Sequence, residues 1–252
     1  MAHRTRKRLT KQELRRDPVA ERLYEWWSFS RTHTTQLILG GVAVIAAIAV
    51  MSSLLGRSRA QELEAMAGYL TAELIYEQAE QQAASGSSEQ AVQALQAAWT
   101  VAGEVASQHR NRIWGRRAAL LSARLGILMG RNEEVISSMQ ELLAAQPPRE
   151  VSNQARLHLA VALENRGGVE DLQNAYTRYS EILESAPPTS VIRAEAMEGL
   201  ARLEMRSGDY AAARGWLDGA LEVLPDTSMY IRHLLTTIEW AEREHPSAAP
   251  QG

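Results

Sequence analysis

The sequence contains no cysteine and only one phenylalanine among its 252 residues. Without cysteine the chain cannot form a disulfide bond, a thiolate nucleophile, an iron–sulfur cluster or a cysteine-ligated zinc site. The six histidines are not spaced from one another or from carboxylates as metal ligands are, and we expect His158 to be a packing or surface residue. No glycine-rich phosphate loop or nucleophile elbow occurs. We therefore predict a non-enzymatic protein with no cofactor, metal or small-molecule substrate; an enzyme with a scattered active site is an alternative.

Charge is distributed unevenly along the chain. Residues 1–36 contain nine Lys or Arg and four acidic residues, residues 37–56 contain no charge, and residues 57–252 contain 18 Arg and 26 acidic residues. This distribution predicts a basic head at 1–36, a separate uncharged segment at 37–56 and an acidic body at 57–244. The Pro- and Ala-containing tail, 245–252, is expected to be disordered.

The uncharged segment reads LILGGVAVIAAIAVMSSLL over residues 37–55. A helix of this length spans roughly 28 Å, close to the thickness of a bilayer core. We therefore predict a transmembrane helix at 37–56, and the basic head then places the N-terminus in the cytoplasm and the body outside it. A buried core helix is one alternative. A signal peptide cleaved before Gln61 is another.

Residues before and within this segment lead to three further predictions. A short amphipathic helix is predicted after Asp17-Pro18, on the membrane surface, where contact with lipid is favoured over contact with nucleic acid. Aromatic residues expected at the membrane interface are Tyr24, Trp26, Trp27 and Phe29. Small residues that would allow close helix packing within the membrane are Gly40, Ala43 and Ala47.

The acidic body has the composition and period of α-helices throughout. Ala, Leu, Glu, Gln and Arg dominate it, and glycine and proline are placed between helical stretches. Glycines that end helical stretches recur at intervals of about 40 residues, which is typical of helix-pair repeats. They are Gly86, Gly130, Gly167 and Gly208.

One stretch carries a family motif. Residues 194–227 resemble a tetratricopeptide repeat, with small residues where two helices approach closely and leucines that fill the space between them. The matching positions are Leu200, Ala201, Gly208, Asp209, Tyr210, Ala213, Leu217, Ala220 and Pro225. More divergent units are predicted at 72–108, 116–149 and 153–188, and a final helix at 227–244 is expected to cover the last apolar face. The predicted fold is all-α, a transmembrane helix followed by a tetratricopeptide-like solenoid.

The arrangement of basic head, apolar segment and repeats resembles a bacterial group. These are single-pass inner-membrane proteins with a periplasmic tetratricopeptide-like domain, of the ancillary Sec-translocon subunit or cell-division coordinator type. The resemblance implies a location in the bacterial inner membrane, and partners among the translocon, periplasmic chaperones or envelope complexes.

The tetratricopeptide resemblance also implies a binding groove, because the first helix of each pair lines the inner surface that holds a partner. The implied residues are Arg117, Leu120, Arg124, Gln154, Leu157, Val161, Glu164, Glu195, Glu198, Arg202 and Met205. An ordinary solvated face is the alternative. The preferred function is a membrane-anchored adaptor that binds other proteins. The alternative function is a permanent structural or assembly subunit of a large membrane complex.

Overall fold

The computed structural model describes residues 34–224 and 229–244. Within these ranges all regular structure is α-helical, so the prediction of an all-α protein is confirmed. The chain divides into two compact units, Met1–Ala60 and Gln61–Gly252. The helices are α1 (Thr34–Ala84), α2 (Ser88–Gln108), α3 (Ile113–Leu128), α4 (Asn132–Ala144), α5 (Arg149–Arg166), α6 (Val169–Ser185), α7 (Val191–Ser207), α8 (Tyr210–Val223) and α9 (Met229–Glu244).

The prediction for residues 37–56 needs correction. Among the described residues, no helix is both long and apolar enough to cross a membrane. The apolar run is not an element of its own, because α1 continues from it without a break through Arg57, Glu62 and Glu64 to Ala84. The predicted transmembrane helix is therefore wrong, and so is the location that followed from it, a single-pass protein of the bacterial inner membrane with a periplasmic C-terminal domain.

Several predictions concern residues outside the described ranges. They are the amphipathic helix after Asp17, the interface aromatics (Tyr24, Trp26, Trp27 and Phe29), the repeat position Pro225 and the disordered tail. The proposed packing residues Gly40, Ala43 and Ala47 lie in the first part of α1, where the description covers the backbone and not the side chains.

The turn glycines lie where the sequence predicts helix ends. Gly86, Gly130, Gly167 and Gly208 all have positive φ angles. At Gly167 φ is +77°, and its N–H donates to the carbonyl of Leu163, which closes the last turn of α5. Gly208 ends α7 in the same left-handed conformation, φ +87°. A side chain would strain such a backbone, so glycine allows the chain to turn at once into the next helix.

Small residues at the predicted repeat positions form the interior between the helices. Connections of two to five residues join the helices from α1 to α8, so that consecutive helices are neighbours in space. The alanines let helix axes approach closely, and larger apolar residues fill the remaining space. The buried repeat positions are Ala79, Ala91, Ala98, Ala123, Val135, Leu142, Ala160, Ala175, Tyr179, Leu200, Ala201, Ala213, Leu217 and Ala220.

The last helix covers the apolar face of the pair before it. Ile231, Leu234 and Ile238 of α9 are buried in one cluster with Ala213 and Leu217 of α8. Residues at these spacings lie on one face of a helix, so α9 presents an apolar stripe to α8 and the opposite side to water. The predicted final helix is therefore present, and its described part begins at Met229.

Candidate binding groove

Alternate helices form one continuous surface. The helix α5 contacts both α3 and α7, although α4 and α6 separate these helices in sequence. The helix α4 packs against both α3 and α5, and α6 packs against both α5 and α7. Side chains from α3, α5 and α7 consequently meet in one groove, which we call the α3–α5–α7 groove.

The groove combines an aliphatic surface with charged residues. It encloses a volume of about 250 Å³. The apolar side chains that line it are Ile127 and Leu128 of α3 and Leu157 and Val161 of α5, and the polar ones are Arg124, His158, Glu195, Glu198 and Arg202. Leu128 is 58% exposed, so an aliphatic side chain faces solvent at this place. A surface of this kind offers both apolar contact and charge to a ligand.

Arg124 is held on one side of the groove by an aromatic ring of α1. Its guanidinium lies 5.2 Å from the centre of the Tyr76 ring. One of its amino groups donates a hydrogen bond of 3.3 Å to the Tyr76 hydroxyl. This stacking, a cation–π contact, fixes the position of the positive charge near His158. Burial, together with this charge, lowers the pKa of His158 from 6.5 to about 4, so His158 is neutral at pH 7.

Glu195 and Glu198 lie one helical turn apart on α7, on the same face of the helix. Burial raises the pKa of both carboxyl groups, and the negative charge of Glu198 raises that of Glu195 further. Arg124 opposes the rise at Glu195, and Arg202 opposes it at Glu198. Neither carboxylate forms a hydrogen bond or salt bridge within the described part of the chain. The pair is thus two partly desolvated negative charges.

Arg202, in contrast, is engaged in a buried network below the groove. Its guanidinium forms two hydrogen bonds of 2.9 Å to the carboxylate of Glu164. The hydroxyl of Tyr179 donates to the same carboxylate at 2.9 Å, and Arg202 also donates to that hydroxyl at 3.2 Å. Glu164 and Tyr179 are buried. Because both oxygens of the Glu164 carboxylate and the Tyr179 hydroxyl have hydrogen-bond partners, they can remain in the interior, and the network links α5, α6 and α7.

A glycine makes room for this network. An added Cβ at Gly199 would lie 2.3 Å from Cζ of the Tyr179 ring and 2.5 Å from Cε1. The Tyr179 ring is fully buried, with its face against the backbone of α7. Gly199 therefore permits the close approach of α6 and α7 that brings the Tyr179 hydroxyl to Glu164.

The groove contains six of the eleven residues implied by the repeat resemblance, and the other five lie elsewhere. Arg124, Leu157, Val161, Glu195, Glu198 and Arg202 line it. Leu120 is buried in the core, and Glu164 belongs to the buried network. Arg117 stacks on Trp114 with 4.5 Å between guanidinium and ring centre. Gln154 is exposed outside the groove, and Met205 packs towards the cluster of α7, α8 and α9.

Sequence reasoning did not find Ile127, Leu128 and His158 as groove residues. Ile127 and Leu128 follow Arg124 by three and four residues, a spacing that places them on the same helix face. This signal was in the sequence, but the residues implied on α3 ended at Arg124, one turn before the end of the helix. His158 was expected to pack or to lie at the surface, and it is half-buried in the groove.

Other cavities lie elsewhere among the described residues. One of about 460 Å³ lies between α6 and α7. Another, of about 200 Å³, lies among α2, α3 and α4, and its lining is rich in Gly, Ala and Ser. Arg110 and Glu141, which form a salt bridge, are part of that lining. Within residues 34–224 and 229–244, no group of three or more His, Asp or Glu side chains could hold a metal ion.

No protein-family model matches the chain, and no curated protein matches it.

Proposed function

We propose that residues 61–244 form a tetratricopeptide-like helical repeat that binds a polypeptide segment in the α3–α5–α7 groove, without catalysis. The observation that carries this proposal is the meeting of six repeat-derived residues from three helices in one groove. In tetratricopeptide arrays the corresponding helices hold a partner. The proposed role is that of an adaptor between proteins.

The packing of the helices supports the repeat assignment. Residues at the small and bulky repeat positions are buried in each of the four helix pairs, including the divergent ones. Contacts between α3 and α5 and between α5 and α7 join the first helices of successive pairs, which is the arrangement expected of stacked repeats. Asp209 accepts a hydrogen bond of 2.9 Å from the N–H of Ala212, so the best-matching unit also starts its second helix with a capped N-terminus.

The composition of the groove favours a polypeptide over a small metabolite. Aliphatic side chains of α3 and α5 lie beside charged groups of α3 and α7, and the groove is open to solvent at Leu128. A peptide can bury several apolar side chains along such a surface and place polar ones at its ends.

A matched pair of variants tests the proposal. Leu128 and Ile113 are both exposed aliphatic residues of α3, but Leu128 lines the groove and Ile113 does not. Peptides selected from a phage-displayed random library on the full chain are expected to bind Leu128→Ser at least several-fold more weakly and Ile113→Ser unchanged. Calorimetric titration measures both affinities. Equal binding to the two variants, or a library from which no peptide is retained, contradicts the proposal.

A second candidate function has one observation in its favour. Leu63, Leu70 and Leu74 of α1 are 62%, 41% and 66% exposed and recur at intervals of seven and four residues. Such a stripe is suited to permanent burial against another protein. A permanent subunit of a larger assembly would co-purify with its partners in fixed stoichiometry after high-salt washing, whereas an adaptor would dissociate.

A further inference from the structure

The charges in the α3–α5–α7 groove are not equally compensated. Arg202 is paired with Glu164, and Arg124 is stacked on Tyr76. His158 lines the same groove from α5, is neutral at pH 7, and forms no hydrogen bond within the described residues. The remaining charges are the carboxylates of Glu195 and Glu198, for which the described residues provide no hydrogen bond or salt bridge.

We infer that Glu195 and Glu198 recognise a basic side chain of the bound segment, so that the groove selects peptides in which a lysine or arginine is flanked by aliphatic residues. This inference rests on the proposed function and assigns its specificity. The two carboxylates, one turn apart on α7, can both reach one ammonium or guanidinium group. The aliphatic neighbours of that group would pack on Leu128, Leu157 and Val161.

A metal ion is a poorer occupant of the same position. Two carboxylates are fewer ligands than a stable metal site in a protein uses, and the described residues supply no third acidic or histidine ligand there. A guanidinium or ammonium, in contrast, needs only hydrogen-bond acceptors and tolerates the nearby aliphatic surface along its stem.

Binding of a basic side chain should also depend on pH in a defined direction. Burial has raised the pKa of both carboxyl groups, and a bound positive charge stabilises their ionised form. As the pH falls through the raised pKa values, the carboxyl groups become protonated and lose the attraction. His158 gains its proton only near pH 4 and then repels a basic side chain, which acts in the same direction. The other charged groups that line the groove with these carboxylates are Arg124 and Arg202.

The experiment is peptide selection on the full chain followed by a double-variant comparison. We expect the peptides retained at neutral pH to be enriched in Lys or Arg next to aliphatic residues. The strongest of them should bind Glu195→Gln/Glu198→Gln about tenfold more weakly than the unchanged chain. The control Glu184→Gln/Glu222→Gln removes two exposed charges from α6 and α8 and should bind normally.

Two further measurements separate specificity from structure. Replacing the basic residue of the peptide by norleucine should weaken binding to the unchanged chain about tenfold, and should have little additional effect in the Glu195→Gln/Glu198→Gln variant. The affinity of the unchanged chain should fall as the pH is lowered towards 5, and that of the double variant should fall less.

The outcomes distinguish this inference from the proposed function. Peptides that bind in a Leu128-dependent way, without enrichment of basic residues and with equal affinity for the double variant, would overturn the inference and leave the function standing. A library from which no peptide is retained would overturn both.

Discussion

Replacing Gly199 by alanine should destabilise the protein, although alanine is the better helix former. The added methyl carbon would lie 2.3 Å from Cζ of Tyr179, far inside normal contact distance. The ring cannot move aside, because Tyr179 is fully buried and its hydroxyl is bonded to Glu164 and Arg202. The backbones of α6 and α7 must therefore separate.

The size of the effect follows from two opposing contributions. Overpacking of a close helix contact costs about 3 kcal/mol, at the upper end of its usual range, because both partners are rigid. The higher helix propensity of alanine returns about 1 kcal/mol. We expect a net loss of about 2 kcal/mol in the free energy of unfolding, or a melting temperature lower by about 4–8 °C for a unit of this size.

Urea denaturation followed by circular dichroism measures this loss, and a second glycine provides the control. Gly215 lies inside α8, and no atom lies within 4 Å of the position that its Cβ would occupy. Gly215→Ala should therefore stabilise the protein by about 0.5–1 kcal/mol. If Gly199→Ala stabilises the protein as Gly215→Ala does, the close packing of Tyr179 on α7 is refuted.

Three further predictions concern individual contacts. Asp209→Ala should cost about 1 kcal/mol in urea denaturation, because it removes the side-chain cap on α8, and an unchanged stability would contradict this cap. Tyr179→Phe should cost about 1 kcal/mol, since the ring remains but the buried Glu164 carboxylate loses a donor; no loss would show that this bond contributes nothing to stability. Between pH 6.5 and about 4, His158 binds a proton more readily in the unfolded chain than in the folded chain, so its titration lowers the free energy of unfolding as the pH falls. Glu195 and Glu198 have raised pKa values in the folded chain, so their titration acts in the opposite direction. His158→Gln should therefore lose less stability on acidification over this range, and an identical pH profile would be the contrary result.

The positions of the helices could be predicted because the signals are local. Glycine is nearly alone in adopting positive φ at low cost, so Gly130 and Gly208 mark turns whatever surrounds them. The alanines of the predicted repeat mark close helix contacts in a similar way, and Ala201 and Ala213 are both fully buried. These features depend on a few neighbouring residues, and the sequence displays them directly.

The groove was predicted only in part, because its composition depends on how helices far apart in sequence are rotated against each other. Leu120 and Leu128 lie on the same helix, yet one is buried in the core and the other lines the groove. The roles of Glu164 and Arg202 depend on a bond across 38 residues. A sequence pattern within one predicted repeat does not contain this information.

The prediction for residues 37–56 used the apolar composition of one segment. In the structure this segment is part of a single helix, Thr34–Ala84. Among the described residues, no helix is long and apolar enough to cross a membrane, which contradicts the prediction.

The most direct test of the central claim is to locate a bound peptide on the protein. A selected peptide that carries a photoreactive group is crosslinked to the full chain, and the adducts are mapped by mass spectrometry. The account predicts adducts on α3, α5 and α7, at or next to Leu128, Leu157 and Glu198. Adducts confined to α4, α6 or α8 would contradict it.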